Sequence, residues 1–514
     1  MADNLEIFKV FCEGGLNTNR DLLSQGETQP GSATRLINYE PAVTGGYRRI
    51  SGFSNDFPDL PGTGATLGVC VANGIDDGIF ACRTPSSGNN YLHAWNDSTD
   101  DWDTITTAGS PTMTGVDKVR FVKYNWTEPR ILLVDGVNPA AYYNGTSYVQ
   151  ITHANAPTDP KYASEFASHM FLAGDPAEPS IVYFSAPLDE TDFAVANGAG
   201  SINMGFDVVQ IKKFRNELYV FGTNQIKKII GSSIADFTVQ EVTDNLGCVA
   251  SDSVIEIGGD LLFLGPDGLR PVSGTDRIGD VELETVSKNI QSLITDSILE
   301  QDLSTLNSVV IRSKSQFRIL FSVAESNGVV GALRQRSGGG IGFEFGQLLG
   351  ITATCADSGY IGQDEYVIHG DSTGKVHRQE QGTDFDGGNI FSLFQTPFFH
   401  MGDPELRKHF LKISTYLRSE GTVNLAMGVV YDYEDTFVTN PSDFSLTTEG
   451  AAAFYNEAIY DDSSAIFDGN PSPVIKTHIS GSGTSIGIKY VTDDTNASHN
   501  IQGLVMLFGI DDRR

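Results

Sequence analysis

Seven short apolar runs recur through the middle of this 514-residue chain, and they constrain its fold more than any other feature. Gly78-Ile79-Phe80-Ala81 opens the series. Arg130-Ile131-Leu132-Leu133-Val134, Met170-Phe171-Leu172-Ala173, Leu218-Tyr219-Val220-Phe221 and Leu261-Leu262-Phe263-Leu264 follow, each running into a glycine or Asp-Gly. Phe317-Arg318-Ile319-Leu320-Phe321 and Tyr366-Val367-Ile368-His369 complete it. Such runs are strands entering turns. Gly136, Gly174, Gly222 and Gly265 are 38, 48 and 43 residues apart, and the 105 residues from Gly265 to Gly370 hold two further units. A period of about 40–50 residues is that of one propeller blade, a four-stranded sheet that cannot bury both faces without neighbours. Asn144-Gly145 and Pro266-Asp267-Gly268 supply hairpin turns between strands. No Trp-Asp or kelch phrase accompanies the period, so a series of generic β-sandwiches stays open beside the propeller.

The flanks read differently. Residues 1–60 are broken by Gly14-Gly15, Pro30-Gly31, Pro41, Gly45-Gly46 and Pro58, too often for helix, which predicts an extended arm lying across the rest. After about residue 390 strict alternation begins: Leu411, Ile413, Thr415 and Leu417; Val423, Leu425, Met427, Val429 and Tyr431; Ile486, Ile488 and Tyr490; Leu504, Met506, Phe508 and Ile510. One buried face per strand predicts an antiparallel sandwich. The expected organisation is an arm over 1–64, a propeller-like repeat domain over 65–390 and a sandwich over 391–514. A single core stops growing near roughly 250–300 residues, so this length calls for such a division. One helix is expected, from Val286, Ile290, Leu293, Ile294 and Ile298, with Thr285 or Ser287 as cap.

Charge excludes one class of function. With 34 basic and 65 acidic residues the formal charge is −31, the wrong sign for gripping a phosphate backbone. The excess serves solubility or a surface past which DNA slides. Five cysteines (Cys12, Cys70, Cys82, Cys248, Cys355) without a CxxC pair predict buried, reduced thiols. Met1 to Glu6 carries no basic or long apolar signal segment, and no stretch approaches the ~18–20 apolar residues of a membrane span.

The motif search returns turns. Gly370-Asp371-Ser372-Thr373-Gly374-Lys375-Val376 is one residue short of a phosphate loop and lacks its hydroxyl, so it reads as a hairpin turn. Gly483-Thr484-Ser485-Ile486-Gly487 spells a nucleophile elbow but leads into a strand instead of a helix. The nine histidines show no zinc spacing. Asp384-Phe385-Asp386-Gly387 lacks the closing Glu of a calcium loop, with Gln395 in its place. Asp97, Asp100, Asp101 and Asp103 read as a solvated loop. No catalytic, cofactor or metal site is predicted, and a non-enzymatic chain is expected.

The N-terminal text, Gly14-Gly15-Leu16-Asn17-Thr18-Asn19-Arg20-Asp21-Leu22-Leu23, then Asn38-Tyr39-Glu40-Pro41 and Gly46-Tyr47-Arg48-Arg49-Ile50-Ser51-Gly52-Phe53, resembles the opening of tail-hub, or nozzle, proteins of short-tailed bacteriophages. Thr396-Pro397-Phe398-Phe399, with Gly402-Asp403-Pro404 and Arg407-Lys408-His409-Phe410, is similar to phage tail-tube text. The resemblance covers some 50 residues at one end and 40 at the other. It implies a β-propeller of about six blades in a subunit of a homohexameric ring. That ring would extend the portal–adaptor channel of the virion, retain packaged DNA and open for ejection. Implied partners are further copies, the adaptor ring, tail fibre or tailspike proteins, and passing double-stranded DNA that is not specifically bound. The chain would be made in the host cytoplasm and reside in the phage tail. A receptor-binding or fibre-attachment protein is the alternative, with a cellular propeller lectin or glycosidase behind it. Arg48, Arg49, Arg407 and Lys408 are candidate contacts with neighbouring subunits or the adaptor. Seven anchors exceed six blades, which would leave one for an arm or a closing strand.

Overall fold

The computed structural model describes residues 5–510 except 20, 107–110, 112, 274–284, 324–326, 336–339, 436–437 and 449–473. The expectations for Met1 to Asn4, for Arg20 and for part of the C-terminal unit thus lie outside the described residues. The fold is all-β, and its body is a propeller. Among the described residues six blades have four strands, and a sheet of three, Ile255–Ile257, Asp260–Gly265 and Gly268–Pro271, completes the circuit between two of them. All seven apolar runs are the second strand of their sheet, from Ile79–Thr84 through Pro129–Val134 to Asp364–Gly370. None of them is left over for an arm.

Second strands are continuous in apolar character because both of their faces are covered. On Pro129–Val134, Ile131 and Leu133 pack against the blade before, while Leu132 and Val134 pack against the blade after. The same division holds at Phe171/Ala173 and Met170/Leu172, and at Leu218/Val220 and Tyr219/Phe221. The propeller core is thus a series of thin apolar layers, one between each pair of blades. All five cysteines are buried and unpaired, spread among these layers and the sandwich.

The N-terminal segment is woven into the body. Phe53–Ser54 adds the fourth strand to the last blade, pairing with Val376–Gln379, and so closes the ring with chain from the opposite end. Phe53 stacks on Phe385 at 4.9 Å. Gly52, just before this strand, lies so close to the Asp384 turn that an added Cβ would sit 1.8 Å from the Asp384 carbonyl oxygen. Gly52→Ala is expected to lower stability by about 1–3 kcal/mol through this overlap, read as a shift in the denaturation midpoint. An unshifted midpoint would mean that the turn yields without cost.

Two elements correct the sequence reading. Leu22–Thr28 is a short helix within the segment judged too punctuated for one, because Asp21 caps it by accepting the Ser24 N–H at 2.8 Å. The expected helix near 290 is a chain of tighter and wider turns, Lys288–Ile290, Gln291–Leu293 and Ile294–Ile298, that buries Ile290, Ile294 and Ile298. Ser287 does not cap it and instead accepts the Leu269 N–H.

Beyond Ile390 two sheets face each other. One centres on His499–Ile510, flanked by Lys408–Ser419 and Val474–His478 on one side and by Leu5–Phe11 and Tyr47–Arg49 on the other. The second contains Ile390–Gln395, Ile486–Asp494, Val423–Tyr431 and Phe444–Thr448. Arg35–Ile37 joins it edge to edge with the blade formed by Asn307–Ile311 to Ile341–Leu348, so one nine-stranded sheet runs from propeller into sandwich.

Candidate functional site

The innermost strands of all seven sheets converge on an axial pocket of about 440 Å³. Many of the side chains that line it are charged: Lys118, Arg120, Lys123, Glu165, Lys212, Lys213, Asp252, Glu256, Arg312 and Asp357. Asp252 accepts from Arg120 through both oxygens at 2.8 and 2.7 Å and lies 2.8 Å from Lys118. Burial alone would raise its carboxyl, but Arg120 and Lys118 hold it well below the usual range. Asp357 accepts from Lys123 at 2.8 Å and from the Val71 N–H at 2.9 Å, and Glu165 accepts from Lys213 at 2.5 Å. Arg312 donates to Ser358 Oγ at 2.9 Å. Lys212 and Glu256 make no hydrogen bond or ion pair among the described residues. Lys212 is solvent-accessible, but the protein atoms crowded around the axis, then the nearby Lys123, push its ammonium below its ordinary pKa.

A second surface lies on the sandwich. The register across its first sheet aligns four rows on the outer face: Leu5, Gly509 and His409; Ile7, Leu507, Lys412 and His478; Lys9, Val505, Ser414 and Lys476; Phe11, Gly503, Tyr416 and Val474. Ile7 and Phe11 are 63% and 71% exposed, and Leu5, Tyr416 and Val474 are exposed too. Every ionisable side chain in these rows, tyrosine aside, is basic. An apolar patch with a single sign of charge marks an interaction surface.

The four basic residues singled out from sequence do not form a site together. Arg49 is 1% exposed and donates to the carbonyls of Asn496, Ile390 and Asp494. Lys408 is fully buried and donates to the carbonyls of Asp403 and Thr484. These two serve the fold and are corrected as surface contacts. Arg48 is held by Glu40 and, through two bonds of 2.6 Å, by Glu420. Arg407 alone is exposed, donating to Ser482. The pocket cations were missed, although a signal existed: Arg120, Lys123, Lys212 and Lys213 sit on the strand just ahead of an apolar anchor, and Lys118 just precedes one.

Of the motifs, Asp371 folds the 370–376 segment into a hairpin turn by accepting the N–H groups of Thr373 and Lys375 at 2.9 Å. Ser485 is buried and precedes the strand Ile486–Asp494. Among the described residues no three His, Cys, Asp or Glu side chains are grouped to hold a metal ion, and no helix is long and apolar enough to cross a membrane.

No family model and no curated protein matches the chain. Solved structures do. The extracellular domain of a one-component system from B. thetaiotaomicron aligns with TM-score 0.38 and 11% identity over 67% of this chain and 45% of its own. An ancestral GH74 enzyme aligns with TM-score 0.39 and 8% identity over 72% and 52%, so the chain spans about half the length of either. An exo-beta-1,3-galactanase from Phanerochaete chrysosporium aligns with TM-score 0.26 and 11% identity over 89% and 100%. At these values the likeness concerns the fold alone. Glycoside hydrolases stand among these structures, at odds with the expectation of a non-enzymatic chain.

Proposed function

We propose that this chain is a tail-hub or nozzle subunit of a short-tailed bacteriophage. Further copies join it in a ring, expected to be a hexamer, that extends the portal–adaptor channel, retains packaged DNA and opens for ejection. The observation that carries the reading is the apolar, wholly basic outer face of the sandwich on a chain of formal charge −31. A second copy offers that face what it lacks, an acidic surface, and a contact between two different patches repeats around a ring until it closes. Charge complementarity sets the register of such contacts, and buried apolar side chains supply their affinity. The N-terminal and Arg407-Lys408 phrases support the family. Adaptor and tail-fibre proteins are the further partners of this reading. Carboxylates facing the lumen would repel passing DNA within a Debye length of about 8–10 Å.

The test is light scattering and negative-stain imaging of the purified chain, alone and with Ile7→Glu/Phe11→Glu. Rings are expected for the natural sequence. The double variant, whose side chains are exposed and leave the core intact, is expected to weaken assembly by at least about tenfold. A chain that stays monomeric at tens of micromolar and is absent from purified virions would sink the proposal.

A further inference from the structure

We infer that the axial pocket of the propeller binds a compact multivalent oxyanion of the phosphate class. The inference stands apart from the assembly reading, since pocket and sheet face lie in different parts of the fold. Across the chain acids outnumber bases 65 to 34. In the pocket the order is reversed, with six cations (Lys118, Arg120, Lys123, Lys212, Lys213, Arg312) against four carboxylates. Three of the four are already engaged: Asp252 by Lys118 and Arg120, Asp357 by Lys123, Glu165 by Lys213. That leaves Lys212 unpartnered among the described residues and beside Lys123, in a place where protein walls weaken water's screening of like charges. An oxyanion seated there would accept from Lys212 and Lys123 and relieve their repulsion.

The pocket's shape and chemistry select the class. A volume of about 440 Å³ holds a small molecule, not a strand of nucleic acid. A sugar ring would want an open aromatic face to lie on. The Tyr162 ring is occupied by Arg120 at 5.3 Å and Lys161 at 5.7 Å, and Phe121 packs into the layer between the first two blades. What the pocket offers is ammonium and guanidinium donors, which suit phosphate oxygens. Glu256, also unpartnered, opposes the same ligand and tunes its affinity downward.

Calorimetric titration of the full chain with inorganic pyrophosphate, inorganic phosphate and a neutral disaccharide tests this. Saturable binding of pyrophosphate, tighter than phosphate, is expected, with none of the disaccharide. Lys212→Ala should weaken it about tenfold or more, Glu256→Gln should tighten it severalfold, and Lys489→Ala, on the sandwich strand Ile486–Asp494, should leave it unchanged. A gain of affinity in Glu256→Gln cannot come from misfolding. The inference is overturned if pyrophosphate shows no saturable binding below about 10 mM, if Lys212→Ala binds as the natural chain does, or if the disaccharide binds and pyrophosphate does not.

Discussion

Replacing Glu40 by alanine is expected to lower stability by about 3–5 kcal/mol, the largest single-residue effect outside the apolar layers. Glu40 is 2% exposed on the strand Tyr39–Pro41. It accepts from Lys314 at 2.6 Å, Gln316 at 3.0 Å, Arg48 at 3.2 Å and Arg318 at 3.3 Å. Burial by itself would raise its carboxyl, but Lys314, Arg48 and Arg318 hold it well below the usual range. Arg318 is fully buried and also donates to Glu380 and Gln379. Removing Glu40 leaves Arg318 and Lys314 with one carboxylate between them in a low-dielectric site, and the uncompensated charge is what costs. Because Tyr39–Pro41 belongs to the sandwich while Arg318 and Lys314 belong to a propeller blade, the loss loosens the two units from each other. Chemical denaturation followed by tryptophan fluorescence reads it as a lower midpoint. Glu40→Gln, which keeps an acceptor, should fall between the natural chain and alanine. Equal midpoints for all three would show the network to be dispensable.

Acidification is expected to lower stability through buried histidines. His369, His499 and His93 are each about 1% exposed. Burial, helped by His377, lowers His369 to about 3; burial and Arg49 lower His499 to about 3; burial and Arg83 lower His93 to about 4. All three lie below the unfolded value of about 6.5, so the unfolded chain binds more protons between these limits and stability falls as pH falls. Each contributes a slope of up to about 1.4 kcal/mol per pH unit, so passing from pH 7 to 5 should remove on the order of 5 kcal/mol. Glu40 and Asp252, held low in the fold, extend the loss below about pH 4.5. Melting temperatures measured from pH 7.5 to 4.5 should therefore bend downward near 6.5. His499→Gln should remove about a third of that bend; its Nε2 lies 2.7 Å from the Tyr39 hydroxyl, which glutamine can also engage. A profile flat to pH 5 would mean that these rings take up protons in the fold as readily as in the unfolded chain.

How much of this was legible follows from which strands are covered on both faces. Second strands announce themselves because Ile131-Leu132-Leu133-Val134 must be apolar throughout. Inner strands such as Arg120–Asn125 mix charge with apolar residues, since they border the axial pocket, and outer strands such as Thr238–Thr243 are mostly exposed. Neither carries a run to read. The sandwich strands were legible for the opposite reason, having one wet face and one dry. The basic pairs misled because neighbours on a strand point opposite ways: Lys408 turns inward while Arg407 and His409 turn outward. The weave of the first 60 residues was invisible because its pairings join positions hundreds of residues apart, with no local pattern to mark them.

That weave dictates an order of events during synthesis. Leu5–Phe11 is made well before its partners, Gly503–Gly509, which follow about 490 residues later. At about 5–20 residues per second the first strand waits roughly 25–100 s with its exposed apolar side chains unpaired. The blades, each closed within some 40 residues, can assemble meanwhile. The sandwich is thus a latch set last, and any truncated translation product lacks it.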